Sequence, residues 1–139
     1  MLQALAERGV HPDLLVGTSA GAVNALWVAH HGMSADSLTQ LAHIWGQLRR
    51  STIFPVSPAQ IVRGLLGRRP ALCSSEHLGA LVLDHCGLED LRDTTIPVHL
   101  VATELLTGKD VLISSGPPSD AVRASAAIPG IFPPMQVEG

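Results

Sequence analysis

Hydrophobic and polar positions follow two periods along this chain, and each period predicts a different element. Apolar residues recur at helical spacing in residues 1–8, 20–31, 38–48 and 78–86, which predicts four helices. Gly32 is expected to end the second helix and Ser34 to cap the third, whose apolar face holds Leu38, Leu41, Ala42, Trp45 and Leu48. A fifth, shorter helix is predicted over 120–127 and a brief one from 57–58. Apolar runs bounded by turn residues predict strands over 14–16, 97–103 and 110–114, with the last two forming a hairpin. Strands that alternate with helices favour an α/β layered domain with a mainly parallel sheet.

The composition indicates a globular chain with a substantial core. Of the 139 residues, 46% are hydrophobic and only 15% are charged, which fits one domain spanning residues 1–139. No apolar run is long enough to span a bilayer and nothing resembles a secretory leader. Cys73 and Cys86 lack metal-ligand spacing and fit a reducing compartment. We therefore expect a cytoplasmic protein without metal or cofactor.

The candidate chemistry lies where the first predicted strand meets the second helix, in the sequence Gly17-Thr18-Ser19-Ala20-Gly21. A Gly-x-Ser-x-Gly between strand and helix is typical of a nucleophile elbow, which exposes the serine on a sharp turn. Side chains at Gly17 and Gly21 are expected to collide with neighbouring backbone. The N–H of Ala20 opens a helix and is a candidate oxyanion donor, and Thr18 is a candidate for setting the turn. The competing interpretation is a glycine-rich turn with an incidental serine.

Three blocks of sequence together resemble the patatin-like phospholipases. They are residues 13–21 (DLLVGTSAG), 101–108 (VATELLTG) and 124–134 (ASAAIPGIFPP), and they occur in that family's order. The resemblance implies a three-layer α/β/α fold and hydrolysis of lipid acyl esters through an acyl-enzyme. It also implies a serine–aspartate dyad that needs no histidine, with Ser19 as the nucleophile and a lipid or acyl ester as the substrate.

The chain departs from the family pattern at both ends. The family's glycine-rich oxyanion loop precedes its first helix, whereas Met1 already lies in the first predicted helix. None of the seven aspartates is followed by glycine, so the family's Asp-Gly-Gly or Asp-Gly-Ala motif is absent and no catalytic aspartate is assigned. The expectation is a partial patatin-like domain over residues 1–139, nearly inactive alone, with the missing segments encoded on either side.

Several other interpretations stay open at this stage. The seven histidines allow a Ser-His-Asp triad, but the last of them, His99, lies inside a predicted strand. Glu104 ends that strand, where an acid is conceivable. His30 and His31 stand at a helix end, where the dipole favours a cation. Another serine hydrolase or acyltransferase, and a non-catalytic fragment that binds lipid or a partner, are the remaining alternatives.

Basic residues are concentrated in one segment of the chain. Residues 37–75 contain five arginines and no acidic residue. Apolar clusters lie beside Arg63, Arg68 and Arg69, and that mixture predicts contact with anionic lipid headgroups at a membrane surface. A solvated loop is the alternative. No aromatic interleaving or nucleic-acid motif is present, so nucleic acid is not an expected partner.

Overall fold

The computed structural model describes residues 1–47, 80, 85–129 and 131–137. The helices and strands, in chain order, are α1 (Leu2–Ala6), β1 (Leu15–Thr18), α2 (Ala20–His31), α3 (Ala35–Gln47), a 3₁₀ turn (Leu91–Asp93), β2 (Val98–Thr103), β3 (Asp110–Ile113) and α4 (Pro118–Ser125). The helix predicted from 57–58 lies outside the described residues, as does most of the one predicted over 78–86. Among the helices that are described, none is long and apolar enough to cross a membrane.

The three strands form one sheet in the order β1-β2-β3. β1 and β2 are parallel, with Thr18 opposite Val101. β2 and β3 are antiparallel, with Val101 opposite Leu112, so the predicted hairpin is confirmed. The prediction of an α/β fold is also confirmed, and the sheet of the described residues is mixed.

Helix α2 is the centre of the structure because it is buried on two sides. On one side, Ala22, Leu26 and Ala29 pack with Val98 and Leu100 of the sheet. On the other side, a second cluster joins α2 to α3; its buried members are Trp27, Val28, Leu38 and Leu41. Burying a large apolar side chain fully contributes about 1.5–3 kcal/mol, so these two contacts fix α2, and with it the turn that precedes it.

The two faces of the sheet differ in their covering. α2 and α4 share one apolar cluster with the face that carries Leu100 and Ile113. On the opposite face, Val16 of β1 is 58% exposed and Leu112 of β3 is 61% exposed. The described residues thus provide the sheet and one helical layer of the three layers that the resemblance implies.

The turn between α2 and α3 has the predicted chemistry. Gly32 ends α2 with φ +78°, a backbone conformation that glycine adopts without steric cost. The hydroxyl of Ser34 accepts a hydrogen bond from the Ser37 N–H at 3.1 Å, which satisfies a free donor at the start of α3. Leu38 and Leu41 are buried on the predicted apolar face, whereas Ala42, which was assigned to that face, is exposed.

The C-terminal end of α2 holds a group of aromatic rings. The ring of His31 stacks on Trp27, with 4.1 Å between the ring centroids, and meets His30 edge-on at 4.6 Å. The helix dipole alone favours a cation at this end. The pKa of His31 is instead lowered. Partial burial is the largest cause, the neighbouring His30 is the next, and His85 makes a smaller contribution.

This lowered pKa predicts that acid destabilises the fold. Unfolded His31 titrates near its ordinary pKa of about 6.5, whereas the folded protein takes up that proton only at lower pH. The unfolded state therefore binds more protons in this window, and the free energy of unfolding should fall from about pH 7 to about pH 5. His31→Gln should make that fall smaller, as measured by urea unfolding at both pH values. His43→Gln, on exposed α3 surface, is the control; equal slopes for wild type and His31→Gln would contradict the prediction.

Candidate active site

The candidate nucleophile elbow turns at a single residue. β1 ends at Thr18 and α2 begins at Ala20, so Ser19 alone makes the turn. Its backbone has φ 55° and ψ −121°, and it is the only non-glycine residue with positive φ among those described. Residues other than glycine rarely adopt that backbone conformation, because it costs about 1–3 kcal/mol. It persists only where surrounding contacts impose it.

Gly17 is required by the close approach of strand and helix. A Cβ atom at Gly17 would lie 2.4 Å from the carbonyl oxygen of Gly21 and 2.8 Å from both Ala22 Cα and Ala25 Cβ. Two of these three atoms belong to the backbone, which cannot rotate away as a side chain can. The collision expected at this glycine is therefore present, and it comes from the first two turns of α2.

The steric reason expected for Gly21 is wrong. Among the described residues, a Cβ atom there would meet nothing within 4 Å, and the φ of Gly21 is not positive. The physical reason is the direction of the turn: Gly17 points into the strand–helix contact, whereas Gly21 is partly exposed. Only the first glycine of the motif is needed for packing among the described residues.

The N-terminus of α2 directs free N–H groups toward the turn. The carbonyl of Ser19 already accepts the N–H of Ala22 at 2.9 Å. The N–H groups of Ala20 and Gly21 stand in the first turn, where no preceding helical carbonyl is available to accept them. They carry the partial positive charge of the helix end, which suits stabilisation of a developing oxyanion.

Ser125 contacts the elbow, although no pattern in the sequence predicts a role for it. It is the last residue of α4, and its hydroxyl oxygen lies 2.9 Å from the backbone nitrogen of Ser19. The same oxygen lies 2.5 Å from the carbonyl oxygen of Val101 in β2. The two serines are 106 positions apart. The signal in the sequence was that Ser125 stands in the third family block, but no period or spacing distinguishes it there.

Thr18, the candidate for setting the turn, and Asn24 lie on either side of Ser19. Thr18 is exposed at the end of β1. The side-chain oxygen of Asn24 accepts a hydrogen bond from Trp45 Nε1 at 2.8 Å, so Asn24 ties α2 to α3 instead of bonding the turn. Trp27, like Trp45 a predicted core residue, is buried and donates from Nε1 to the Ser37 hydroxyl at 2.9 Å.

An apolar groove of about 410 Å³ adjoins the start of α2. Its wall includes Ala20, the residue that follows Ser19, and one turn later Asn24. Met1, α1 and α3 supply the remainder, and the residues from the two helices are Leu2, Gln3, Leu38, Leu41, Ala42 and Trp45. The volume is within the usual range for small-molecule sites, about 300–1,000 Å³.

No carboxylate or imidazole within the described ranges hydrogen-bonds the hydroxyl of Ser19. The Nδ1 of His99 pairs with the Ser114 hydroxyl at 2.7 Å, and His99 stands opposite Val16, three residues before Ser19. The carboxylate of Glu104 accepts from the Thr107 hydroxyl in the β2–β3 turn. These contacts give both alternatives, His99 and Glu104, a local structural partner.

Two further ionisable groups have pKa values that their surroundings shift. Asp90 caps the 3₁₀ turn, and its bonds to the Arg92 guanidinium hold the pKa of that carboxyl well below its usual range. Burial raises the pKa of the free Cys86 thiol to about 11, which keeps it protonated and unreactive at neutral pH.

Within the part of the chain that is described, no three His, Cys, Asp or Glu residues are grouped to hold a metal ion. Arg63, Arg68 and Arg69 lie outside the described residues, so the membrane contact stays a prediction.

Comparison with known proteins agrees over the whole length of the chain. The sequence profile described as patatin-like phospholipase matches residues 1–139. An NTE family protein of Mycobacterium bovis, described as uncharacterized, is 35% identical over 140 residues, and so is one of Mycobacterium tuberculosis. Each match covers 100% of this chain and 36% of the relative, so the chain spans about a third of the length of these curated relatives. The chain belongs to the patatin-like phospholipase family.

Proposed function

We propose that Ser19 is the nucleophile of a lipid acyl hydrolase. The observation that carries this proposal is the backbone of Ser19, held at φ 55° between a parallel strand and a helix N-terminus. A strained turn of this kind lifts the serine hydroxyl out of the sheet and sets it before free N–H groups. Membership of the family supports this proposal, because Ser19 stands at the position of the family's nucleophile.

The reaction proceeds in two acyl transfers. The Ser19 oxygen attacks the ester carbonyl while a general base takes its proton, and the base then protonates the departing alkoxide. Water then attacks the acyl-enzyme while the base takes a proton from it, and the base returns that proton to the Ser19 oxygen as the carboxylic acid leaves. The family pattern makes the base an aspartate in an Asp-Gly-Gly or Asp-Gly-Ala motif, and no aspartate among residues 1–139 is assigned that role.

The N–H of Ala20 is the proposed oxyanion donor within this chain. It opens α2 directly after the nucleophile, so it points to the side where the tetrahedral oxygen forms. One missing oxyanion donor lowers the rate by about 10²–10³-fold. The family's glycine-rich loop would supply the further donors.

The substrate is proposed to be a lipid ester because of the surface around the elbow. The apolar groove beside Ala20 suits a hydrocarbon chain, and Asn24 and Gln3 are the polar side chains among its lining residues. Arg63, Arg68 and Arg69 are proposed to hold the enzyme at an anionic membrane, at about 1 kcal/mol per residue near the surface. That part of the proposal rests on the sequence alone.

Chemical trapping of the nucleophile tests the proposal directly. The protein, expressed from its complete reading frame, is treated with a fluorophosphonate probe, digested with trypsin and analysed by mass spectrometry. Ser19 falls in the tryptic peptide of residues 9–49, together with Ser34 and Ser37, so the fragment spectra contain two internal control serines. We expect the adduct on Ser19 alone, and none after heat denaturation. A labelled protein whose adduct lies on any other serine would refute the proposal, and so would an active esterase that is not labelled.

A further inference from the structure

The hydroxyl of Ser125 joins three elements at the elbow. Its oxygen is 2.9 Å from the Ser19 nitrogen and 2.5 Å from the Val101 carbonyl oxygen, and Ser125 itself ends α4. We infer that Ser125 is a positioning residue, which holds the peptide group of the nucleophile in the strained conformation that exposes the Ser19 hydroxyl. This inference rests on the proposed function, because it assigns Ser125 a part in the chemistry of Ser19.

The chemistry of the three groups fixes the direction of both hydrogen bonds. The carbonyl of Val101 only accepts, so the hydroxyl proton of Ser125 must point to it. The backbone N–H of Ser19 only donates, so it points to a lone pair of the same oxygen. Donating one bond strengthens an oxygen as acceptor for the other. The Ser19 N–H, the Ser125 hydroxyl and the Val101 carbonyl thus form one directed chain.

This chain acts on the dihedral angle that makes the elbow. The angle φ describes rotation about the bond between the Ser19 nitrogen and its Cα. It therefore relates the direction of the N–H to the rest of the residue, and its value here is 55°. Gly17 allows α2 to approach the strand, but it does not fix the peptide plane of Ser19. The bond to Ser125 fixes that plane, since it ties the N–H to β2, the strand paired with β1 at Thr18 and Val101.

The same bond has a consequence for the oxyanion. Because the Ser19 N–H is engaged by Ser125, it does not serve the oxyanion, and the N–H of Ala20 becomes the first free donor of the turn. Loss of the Ser125 hydroxyl would therefore let the nucleophile rotate and would free a competing donor on the wrong side of the turn. Small misplacements of a reacting group lower rates by about 100-fold.

Ser37 offers a matched control. Its hydroxyl accepts from Trp27 Nε1 at 2.9 Å and donates to the Gly32 carbonyl at 3.0 Å, so it too bridges an N–H and a carbonyl. It lies in the α2–α3 contact, at the end of α2 remote from Ser19. Ser125→Ala removes the hydroxyl that the Ser19 N–H and the Val101 carbonyl share. Ser37→Ala removes the donor to the Gly32 carbonyl, whereas Trp27 Nε1 keeps a second acceptor, the Ser37 backbone carbonyl, at 3.1 Å. Each change should lower stability by about 1–3 kcal/mol.

The test compares nucleophile reactivity per folded molecule. In the protein expressed from its complete reading frame, the rate of fluorophosphonate labelling at Ser19 is measured for wild type, Ser125→Ala, Ser125→Cys and Ser37→Ala, with folded fractions from circular dichroism. We expect Ser125→Ala to label about 10- to 100-fold more slowly, and kcat for a soluble ester to fall by a similar factor with little change in KM. Ser37→Ala should label at the wild-type rate. Ser125→Cys keeps the packing, so it stays folded where Ser125→Ala does not. Its thiol is only a weak donor and acceptor, so Ser19 should be labelled slowly in this variant too.

The outcomes separate this inference from the proposed function. If wild type is labelled at Ser19 and a folded Ser125 variant is labelled at the same rate, the positioning role is refuted and the nucleophile stands. Slowing by Ser37→Ala to the same extent as by Ser125→Ala would also refute it, because loss of stability alone would then explain both. If wild type is not labelled at Ser19, the proposed function itself fails.

Discussion

Replacing Ser19 by alanine should lower kcat for ester hydrolysis by at least about 10⁴-fold. The substitution removes the oxygen that is proposed to form the acyl-enzyme, whereas the groove and the α2 N-terminus, the proposed substrate contacts, remain. Little else should change, since the Ser19 side chain is partly exposed and makes no cap bond to α2. Initial rates with a soluble short-chain ester and with phospholipid vesicles, at equal folded protein, measure the effect.

Two controls make that result specific. Ser114→Ala removes an exposed hydroxyl that bonds only locally with His99, and it should leave kcat within about threefold. His99→Gln should do the same, because a dyad needs no histidine. Retention of a tenth or more of the activity by Ser19→Ala would place the nucleophile elsewhere. A loss of several orders of magnitude in His99→Gln would favour a triad.

The elements around the elbow could be predicted because their signals are local. The apolar run before Gly17, the small-residue period of α2 and the hairpin turn at Gly108 each lie within a few residues of the structure they specify. Their boundaries moved by one to three residues; for example, β1 runs to Thr18 and α4 begins at Pro118. Element ends depend on tertiary contacts, which a local pattern does not contain.

The contacts that hold the elbow could not be predicted in the same way. The bond between Ser19 and Ser125 links positions 106 residues apart, and it exists only because α4 packs beside β2. A serine at a helix end looks like any solvated hydroxyl in the sequence. The sequence therefore identified the candidate nucleophile but not the residue that orients its backbone.

The steric expectation at Gly21 and the dipole rule at His31 are both overridden for one common reason. Each expectation used a general rule, one for the second glycine of the motif and one for a histidine at a helix end. The direction of the turn leaves Gly21 in open space, and burial with neighbouring imidazoles outweighs the dipole at His31. Both outcomes depend on what surrounds the residue in three dimensions.

The largest effect on stability is expected at Gly17. In Gly17→Ala, the new methyl group would lie 2.4 Å from the Gly21 carbonyl oxygen and 2.8 Å from the Ala22 Cα. Relief requires that α2 move away from β1, and α2 carries both apolar clusters of the core. We therefore expect the free energy of unfolding to fall by about 3 kcal/mol or more, as measured by urea unfolding, and the Ser19 labelling rate of the remaining folded protein to fall as well.

Gly21→Ala is the control that the motif itself provides. It adds the same methyl group four residues later, where nothing described lies within 4 Å and φ is not positive. Alanine is the better helix former by up to about 1 kcal/mol, so stability should be unchanged or slightly higher. Equal destabilisation by the two substitutions would contradict the packing argument. A Gly21→Ala protein that is stable but labels slowly would show instead that this glycine is kept for the approach of the substrate, because the methyl group then obstructs the active site and not the fold.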